Sequence, residues 1–412
     1  MDRDHVWPVV VIGAGQAGLS AAHGLLRKGL KPGVDFLVLD SERGPGGAWR
    51  HRWDSLTLGK THSIYDLPGL ALEQYPQEMP AREIVKEYYG EYEQKFALGV
   101  VRPVKVTQVT STSMPAPPLD VDGLSVPITL LQLTCQQGDE APDEAPKTIY
   151  ARTIISATGT WSRPFIPYVS GIETFGGRSI HTVDYDSADA FADKKVVVVG
   201  GGLSAVQFIL ELRGIAETIW ATRRPPNFSP VTFDAIWGAE VEDAVDQRTF
   251  AGKRSASVVR TTGIPMIPPY MEGVREGLLI SRGMFDRVRP GAVRFRGYGE
   301  GYEDSSDLSA DGLGPSARPD LAVPESWQPL AEPTWVEADV IFWNTGFRSE
   351  TRHLRPLKLR SSAGGMVIEN RVEVASDQRV FVAGYGSGAS TFGATRTGRA
   401  AATAAVKRLN LQ

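Results

Sequence analysis

The chain has 412 residues and one cysteine, Cys135. That scarcity excludes a disulfide framework, a Cys-x-x-Cys redox pair and a cysteine-rich metal site, and no metal is expected. It also lacks an excess of either charge: 44 basic against 48 acidic residues give a formal net charge of −4. No basic footprint for nucleic acid or an anionic membrane follows from such a balance. Long apolar runs are missing too, none approaching the ~20 residues that span a bilayer. Met1 to Trp7 carries no basic flank or apolar core of a secretion signal, and Ala404 to Gln412 reads as an ordinary helix end without an anchor. A cytoplasmic protein is expected, with neither nucleic acid nor membrane as a partner.

What is present is ordinary for a soluble enzyme: 42% hydrophobic and 22% charged residues, with 43 glycines and 28 prolines that imply many turns. The length exceeds the ~250–300 residues at which single cores stop growing, so two domains are expected. Two segments share one pattern. Val9–Ile12 is a short apolar strand followed by Gly13-Ala14-Gly15-Gln16-Ala17-Gly18 and a helix to Lys28; Val196–Val199 is followed by Gly200-Gly201-Gly202-Leu203-Ser204-Ala205. Each reads as strand, tight turn and helix, the dinucleotide-binding fingerprint. Asp35–Asp40 completes the first βαβ unit with an acid placed to bond a ribose. The corresponding strand of the second, Thr218–Thr222, ends in Arg223-Arg224, which suits a ribose 2′-phosphate. Gly13, Gly15 and Gly18, and Gly200, Gly202 and Ser204, are therefore candidate cofactor contacts, with the helix N-termini facing pyrophosphate.

Further along, a helix opens near Pro80, and Val100–Val109 and Pro127–Cys135 alternate like sheet strands. Ile154–Gly159 and Ala338–Gly346 echo each other as strands ending in a Thr-Gly turn, and Arg379–Gly384 precedes an Ala-rich final helix, Gly393–Leu409. The stretch from Glu300 to Pro333 shows no period, and is either a solvated connection or a lid.

Phe175-x-Gly177-x-x-x-His181-x-x-x-Tyr185, standing between the two fingerprints, resembles the linker signature of the flavin-containing monooxygenases. Gly46-Gly47-Ala48-Trp49-Arg50 resembles that family's Gly-Gly-x-Trp stretch at the family's spacing from the ribose acid. The resemblance covers nearly the whole chain in motif order, except between Pro225 and Pro333. It implies an α/β protein of two dinucleotide-binding Rossmann-like domains, with an NADPH domain (166–334) inserted into a discontinuous FAD domain (1–165 and 335–412). It further implies FAD contacts from Asp40, Gly47, Trp49, Arg50, Thr158, Gly159, Gly384 and Thr391, with Ser390 and Phe392 beside the flavin. NADPH would meet Arg223 and Arg224, and His181 and Tyr185 would couple the domains. The activity so implied is an NADPH-dependent monooxygenase that forms a C4a-hydroperoxyflavin and inserts one oxygen atom from O2 into a small nitrogen- or sulfur-containing substrate. Baeyer–Villiger or decarboxylative oxygenation of a ketone or α-keto acid, and a non-oxygenating FAD/NADPH protein releasing peroxide, are the alternatives. Gly59 stands where animal-type members carry an asparagine, while Tyr65-Asp66-Leu67-Pro68 looks closer to members acting on indole-3-pyruvate. Thr61 and His62 are candidates beside the reacting centre, His62 equally a loop cap. A homo-oligomer is left open.

Overall fold

The structure is a computed structural model and describes residues 5–61, 64–114, 128–138, 147–230, 235–255, 263–297 and 321–410. The first unit is an eight-stranded sheet. Its parallel centre runs β17 (Val380–Val382), β5 (Lys147–Ser156), β1 (Val6–Ile12), β2 (Phe36–Leu39). β3 (Val104–Met114) and β4 (Ile128–Gln137), the two segments expected as strands, pair antiparallel, with β4 paired to β5. β15 (Ile368–Glu369) and β16 (Glu373–Val374) extend the other edge. The continuous apolar run of β1 has its reason here. Val9 and Val11 enter the core under helices α1 (Gln16–Arg27), α2 (Ala81–Lys95) and the final helix, while Val10 and Ile12 enter the core under β3 and β4. A strand buried on both faces cannot alternate with polar residues.

The second unit repeats this construction. Its four-stranded parallel sheet has the order β6 (Arg178–His181), β14 (Val340–Trp343), β7 (Lys195–Val199), β8 (Glu217–Ala221). Val196 and Val198 face one core, with helix α3 (Leu203–Glu211); Val197 and Val199 face the other. That second core lies under the antiparallel ribbon β11 (Phe285–Arg289), β12 (Ala292–Phe295), β13 (Thr334–Glu337). Two short strands, β9 (Phe228–Ser229) and β10 (Ile264–Pro265), pair with each other and, with the following helix α5 (Pro268–Arg275), pack into the core that holds α3.

Two boundaries differ from the sequence reading. The return to the first unit does not fall at residue 335: β13 pairs with β12, and β14 sits between β6 and β7 with all four residues buried. Four consecutive apolar residues fit only the centre of that parallel sheet, so the chain leaves the second unit after Trp343. Conversely, helix α4 (Ala235–Phe250), within the span assigned to the inserted domain, docks on the first unit. Ser387 donates to Asp246 at 2.5 Å, Arg371 pairs with Asp243 and Asp246 at 2.9 and 3.3 Å, and Arg396 pairs with Glu242 at 2.5 Å. The Gly252 carbonyl then accepts from Ser361 and from the Gly365 N–H. Most of the Glu300–Pro333 stretch lies outside the described residues. Its end, from Leu321, packs on the second unit through Val323 and through Ser326, whose carbonyl accepts from Ser281 N–H at 2.8 Å. Among the described residues no helix is long and apolar enough to cross a membrane.

Candidate functional site

The two glycine loops are built alike. Gly13 N–H bonds the Leu39 carbonyl and Ala157 N–H bonds that of Ile12; in the second unit Gly200 N–H bonds Ala221 and Asn344 N–H bonds Val199. Both glycines have a positive φ, +102° and +137°, and a Cβ at either would strike the carbonyl oxygen of the neighbouring strand end, Ala157 at 2.5 Å or Asn344 at 2.3 Å. Gly18 is forced by close packing, since its Cβ would fall on the Gly13 carbonyl oxygen.

At Gly15 the reverse holds: a Cβ there would meet nothing within 4 Å. Gly15 caps α1 with no side-chain hydrogen bond, and no acid occupies the first turn. The first N–H groups of α1 therefore face open space with the positive end of the helix dipole, a seat for a pyrophosphate. Gly202 caps α3 in the same way, with Ser204 in its first turn. Both cradles fit a dinucleotide.

At the end of β2, Asp40 is buried and its carboxylate accepts from Arg102 Nε at 3.1 Å. Arg102 is itself held by both oxygens of Glu93, at 2.7 and 2.6 Å. Burial pushes the Asp40 carboxyl up against the opposing pull of Arg102. At the end of β8, Arg223 is exposed, while the turn is fixed by Thr222, whose hydroxyl donates to the Arg224 carbonyl at 2.6 Å and meets Ser281 at 2.6 Å.

The two chain crossings pair with each other. Phe165 N–H bonds Gly346, Arg348 N–H bonds Arg163, Glu350 N–H bonds Gly159, and the Thr158 hydroxyl donates to the Glu350 carbonyl. His181 pins this seam. Its Nε2 lies 3.0 Å from the Gly346 carbonyl and its Nδ1 accepts from Val183 N–H, which fixes the neutral, Nε2-protonated form; burial lowers its pKa accordingly. Phe175 is core, and Gly177 is required by the Asp339 carbonyl, 2.5 Å from its would-be Cβ. The Tyr185 ring stacks on Phe342, and its hydroxyl donates to Glu211 at 2.7 Å; the same Glu211 oxygen accepts from Ser55 of the first unit at 2.5 Å.

Gly47 touches the first loop, its would-be Cβ 3.0 Å from Gly15 Cα, and Trp49 follows it, half-buried. Arg50 donates to the Pro45 carbonyl at 2.8 Å, holding this turn. Thr61 donates to the Leu58 carbonyl at 2.7 Å, and His62 lies outside the described residues. Gly384 lies against Ala17 of α1, its would-be Cβ 3.4 Å from the alanine methyl, and Thr391 begins α6 (Thr391–Leu409), capped by Ser390.

Sequence reasoning missed three features of this region: Glu211; the buried carboxylates of α4, which cover the Gly386–Ala389 turn; and Arg52, ringed by Trp49, Trp53 and Trp161. The first two carry no local signal. The third does, in the run Trp49-Arg50-His51-Arg52-Trp53.

A family model described as pyridine nucleotide-disulphide oxidoreductase matches residues 7–263. An uncharacterized CzcO-like oxidoreductase of Geobacillus kaustophilus is 27% identical over 55% of the chain and 57% of its own length. The indole-3-pyruvate monooxygenase YUCCA4 of rice is 32% identical over 49% of the chain and 44% of its own length. The chain thus spans about half the length of these curated relatives. Among solved structures, a flavin-containing monooxygenase from Stenotrophomonas maltophilia is 28% identical, with a TM-score of 0.68 over 97% of this chain and 98% of that one.

Proposed function

This chain belongs to the pyridine nucleotide-disulphide oxidoreductase family, and within it to the flavin-containing monooxygenases, and from that premise we propose that it is an FAD- and NADPH-dependent monooxygenase of a small organic substrate. The observation that carries the reading is the duplicated cradle: two glycine loops of one design, each with an uncapped helix N-terminus, joined by crossings that bond to each other. When bound, FAD would take electrons from NADPH and activate molecular oxygen, so that one oxygen atom enters a nitrogen or sulfur centre.

The chain's own residues bind, orient and enclose. The first turn of α1 would receive the FAD pyrophosphate, Asp40 its ribose, and the Gly47–Trp49 turn would pack against the cofactor from the Gly15 side. The first turn of α3 would receive the NADPH pyrophosphate. Arg223 and Arg224 would hold its 2′-phosphate by charge-assisted bonds, ending a β8 whose turn Thr222 and Ser281 already fix. Neutral His181 has both ring nitrogens engaged by backbone, so it positions the crossing and moves no proton. Helix α4, with its carboxylates buried against Arg371, Arg396 and Ser387, shields the turn before α6 from water. The dithiol of a disulfide reductase has no counterpart: Cys135 is the chain's one cysteine, buried, with its thiol pushed up to about 12.

The purified protein is expected to carry FAD, to be reduced by NADPH without oxygen, and to transfer label from 18O2 into an amine or sulfide. Esters formed from a ketone panel, with no N- or S-oxide, would replace this with Baeyer–Villiger chemistry. Gly59 favours a second reading, release of peroxide without oxygenation. It offers no side chain, and its N–H is committed to the Gln77 carbonyl at 2.9 Å. Hydrogen peroxide equal to the NADPH consumed, whatever the substrate, would select that reading.

A further inference from the structure

We propose that the Arg52 guanidinium, walled by Trp49, Trp53 and Trp161, is a receptor for a carboxylate on the substrate. The inference rests on the FAD/NADPH reading of the same site. The guanidinium carbon lies 4.1 Å from the Trp161 ring centroid, over its face, and 5.8 Å from those of Trp49 and Trp53. Stacking on an indole occupies the plane of the group and leaves its N–H edge as a fork that matches a carboxylate bidentately. None of the described residues supplies such a partner. Arg52 Nε is buried without a hydrogen-bond partner, and among the described residues no carboxylate pairs with this side chain. The residue as a whole is half-buried, and Nε is the one nitrogen of its side chain that is wholly enclosed without a partner.

Two other enclosed arginines are paired, by contrast: Arg102 holds Asp40 and Glu93, and Arg379 holds Asp377. A cation withdrawn from water without a counter-charge is costly, and here the burial shows as a pKa lowered to about 10. Retaining that cost at a site of chemistry points to an anion that arrives with the ligand.

The position identifies which anion. Trp49 stands on the turn that touches Gly15; Trp53 packs on Phe208 of α3, ring centroids 4.7 Å apart; Trp161 lies on the crossing and stacks on Phe347. The cage therefore sits where the two units and their linker converge. Both cofactor pyrophosphates have seats at α1 and α3, and the 2′-phosphate has Arg223 and Arg224. What is left for Arg52 is the substrate, and three indoles beside the charge suit an acid with an apolar or aromatic body.

Binding of (phenylthio)acetate and its uncharged amide, (phenylthio)acetamide, to the FAD-containing protein with NADP+ present tests this by calorimetry. The wild type is expected to bind the acid at least tenfold more tightly than the amide. Arg52→Gln should reduce that preference to within about twofold without changing amide binding or flavin content. Arg52→Lys, which keeps charge but not the fork, should reduce it at least threefold, and decides the matter if Arg52→Gln does not fold. Equal affinities in the wild type, a preference that Arg52→Gln leaves above about twofold, or one that Arg52→Lys leaves undiminished, overturn the proposal. Anaerobic mixing with NADPH keeps the two readings apart. A protein that prefers the acid through Arg52 but whose flavin is not reduced by NADPH loses the monooxygenase reading and keeps the carboxylate receptor; reduction without the preference does the opposite.

Discussion

Gly15 and Gly18 lie three residues apart in one fingerprint and should fail in different ways. Gly18→Ala drives a methyl onto the Gly13 carbonyl oxygen, so the loop itself must move, and a loss of a few kcal/mol in stability is expected in urea unfolding. Gly15→Ala enters open space at an ordinary negative φ of −82°, so the cofactor-free protein should keep its melting temperature. FAD affinity, measured by fluorescence titration, should fall at least tenfold because the methyl occupies the pyrophosphate seat; unaltered affinity would mean the seat is elsewhere. His353 gives a pH prediction. Its Nε2 lies 3.1 Å from Ser156 Oγ, and burial lowers its pKa to about 4. An unfolded imidazole takes its proton near the ordinary 6.5, so between those values the unfolded state binds more protons. The stability present at neutral pH is thus lost as pH falls from about 6.5 toward 4, by roughly 3 kcal/mol at most. Unfolding at pH 7.5 and 4.5 should show this loss in the wild type and a smaller one in His353→Gln. At this scale the turns at Gly13 and Gly200 and the close packing at Gly18 were legible because each is a local backbone requirement. Of the Arg52 cage, the run from Trp49 to Trp53 signals two walls, while Trp161 lies more than a hundred residues from them and leaves the third illegible.

Among the elements, the strands were legible wherever burial on both faces leaves an unbroken apolar run, as in β1, β7 and β14. Helix α4 was not. Its partners, Arg371, Ser387 and Arg396, lie more than a hundred residues downstream, so nothing near it in the chain announces that its carboxylates are buried. Burial raises the pKa of both Glu242 and Asp246, offset by their arginines and by Ser387. Asp246→Ala removes a buried acceptor and leaves Ser387 and Arg371 facing a void, a cost of about 2–4 kcal/mol to the docking of this helix. Amide hydrogen exchange should rise across 245–255 while β1 and β5 keep their protection. Unchanged exchange in α4 would show that the ion pairs do not hold it.

At the scale of the molecule, two units on paired crossings were foreseeable from the repeated strand–turn–helix pattern, but their limits were not. β14 ends in the same Thr-Gly turn as the strand that leaves the first unit, and only its pairing with β6 and β7 assigns it to the second. The units are tied by Glu211, which accepts from Tyr185 on the linker and from Ser55 of the first unit. Glu211→Ala should leave FAD content intact and slow NADPH reduction of the flavin roughly tenfold in anaerobic stopped flow, because relative placement is what hydride transfer between two bound cofactors requires. An unchanged rate would reduce Glu211 to local packing. The docking of α4 carries a further consequence, for how such molecules can be recombined. Residues 166–334 are not a cassette: exchanging them wholesale for a relative's nucleotide unit would pull a cork out of the first unit and strip the cover from Gly386–Ala389. A working chimera must keep residues 235–255 with the chain ends that grip them and splice on either side.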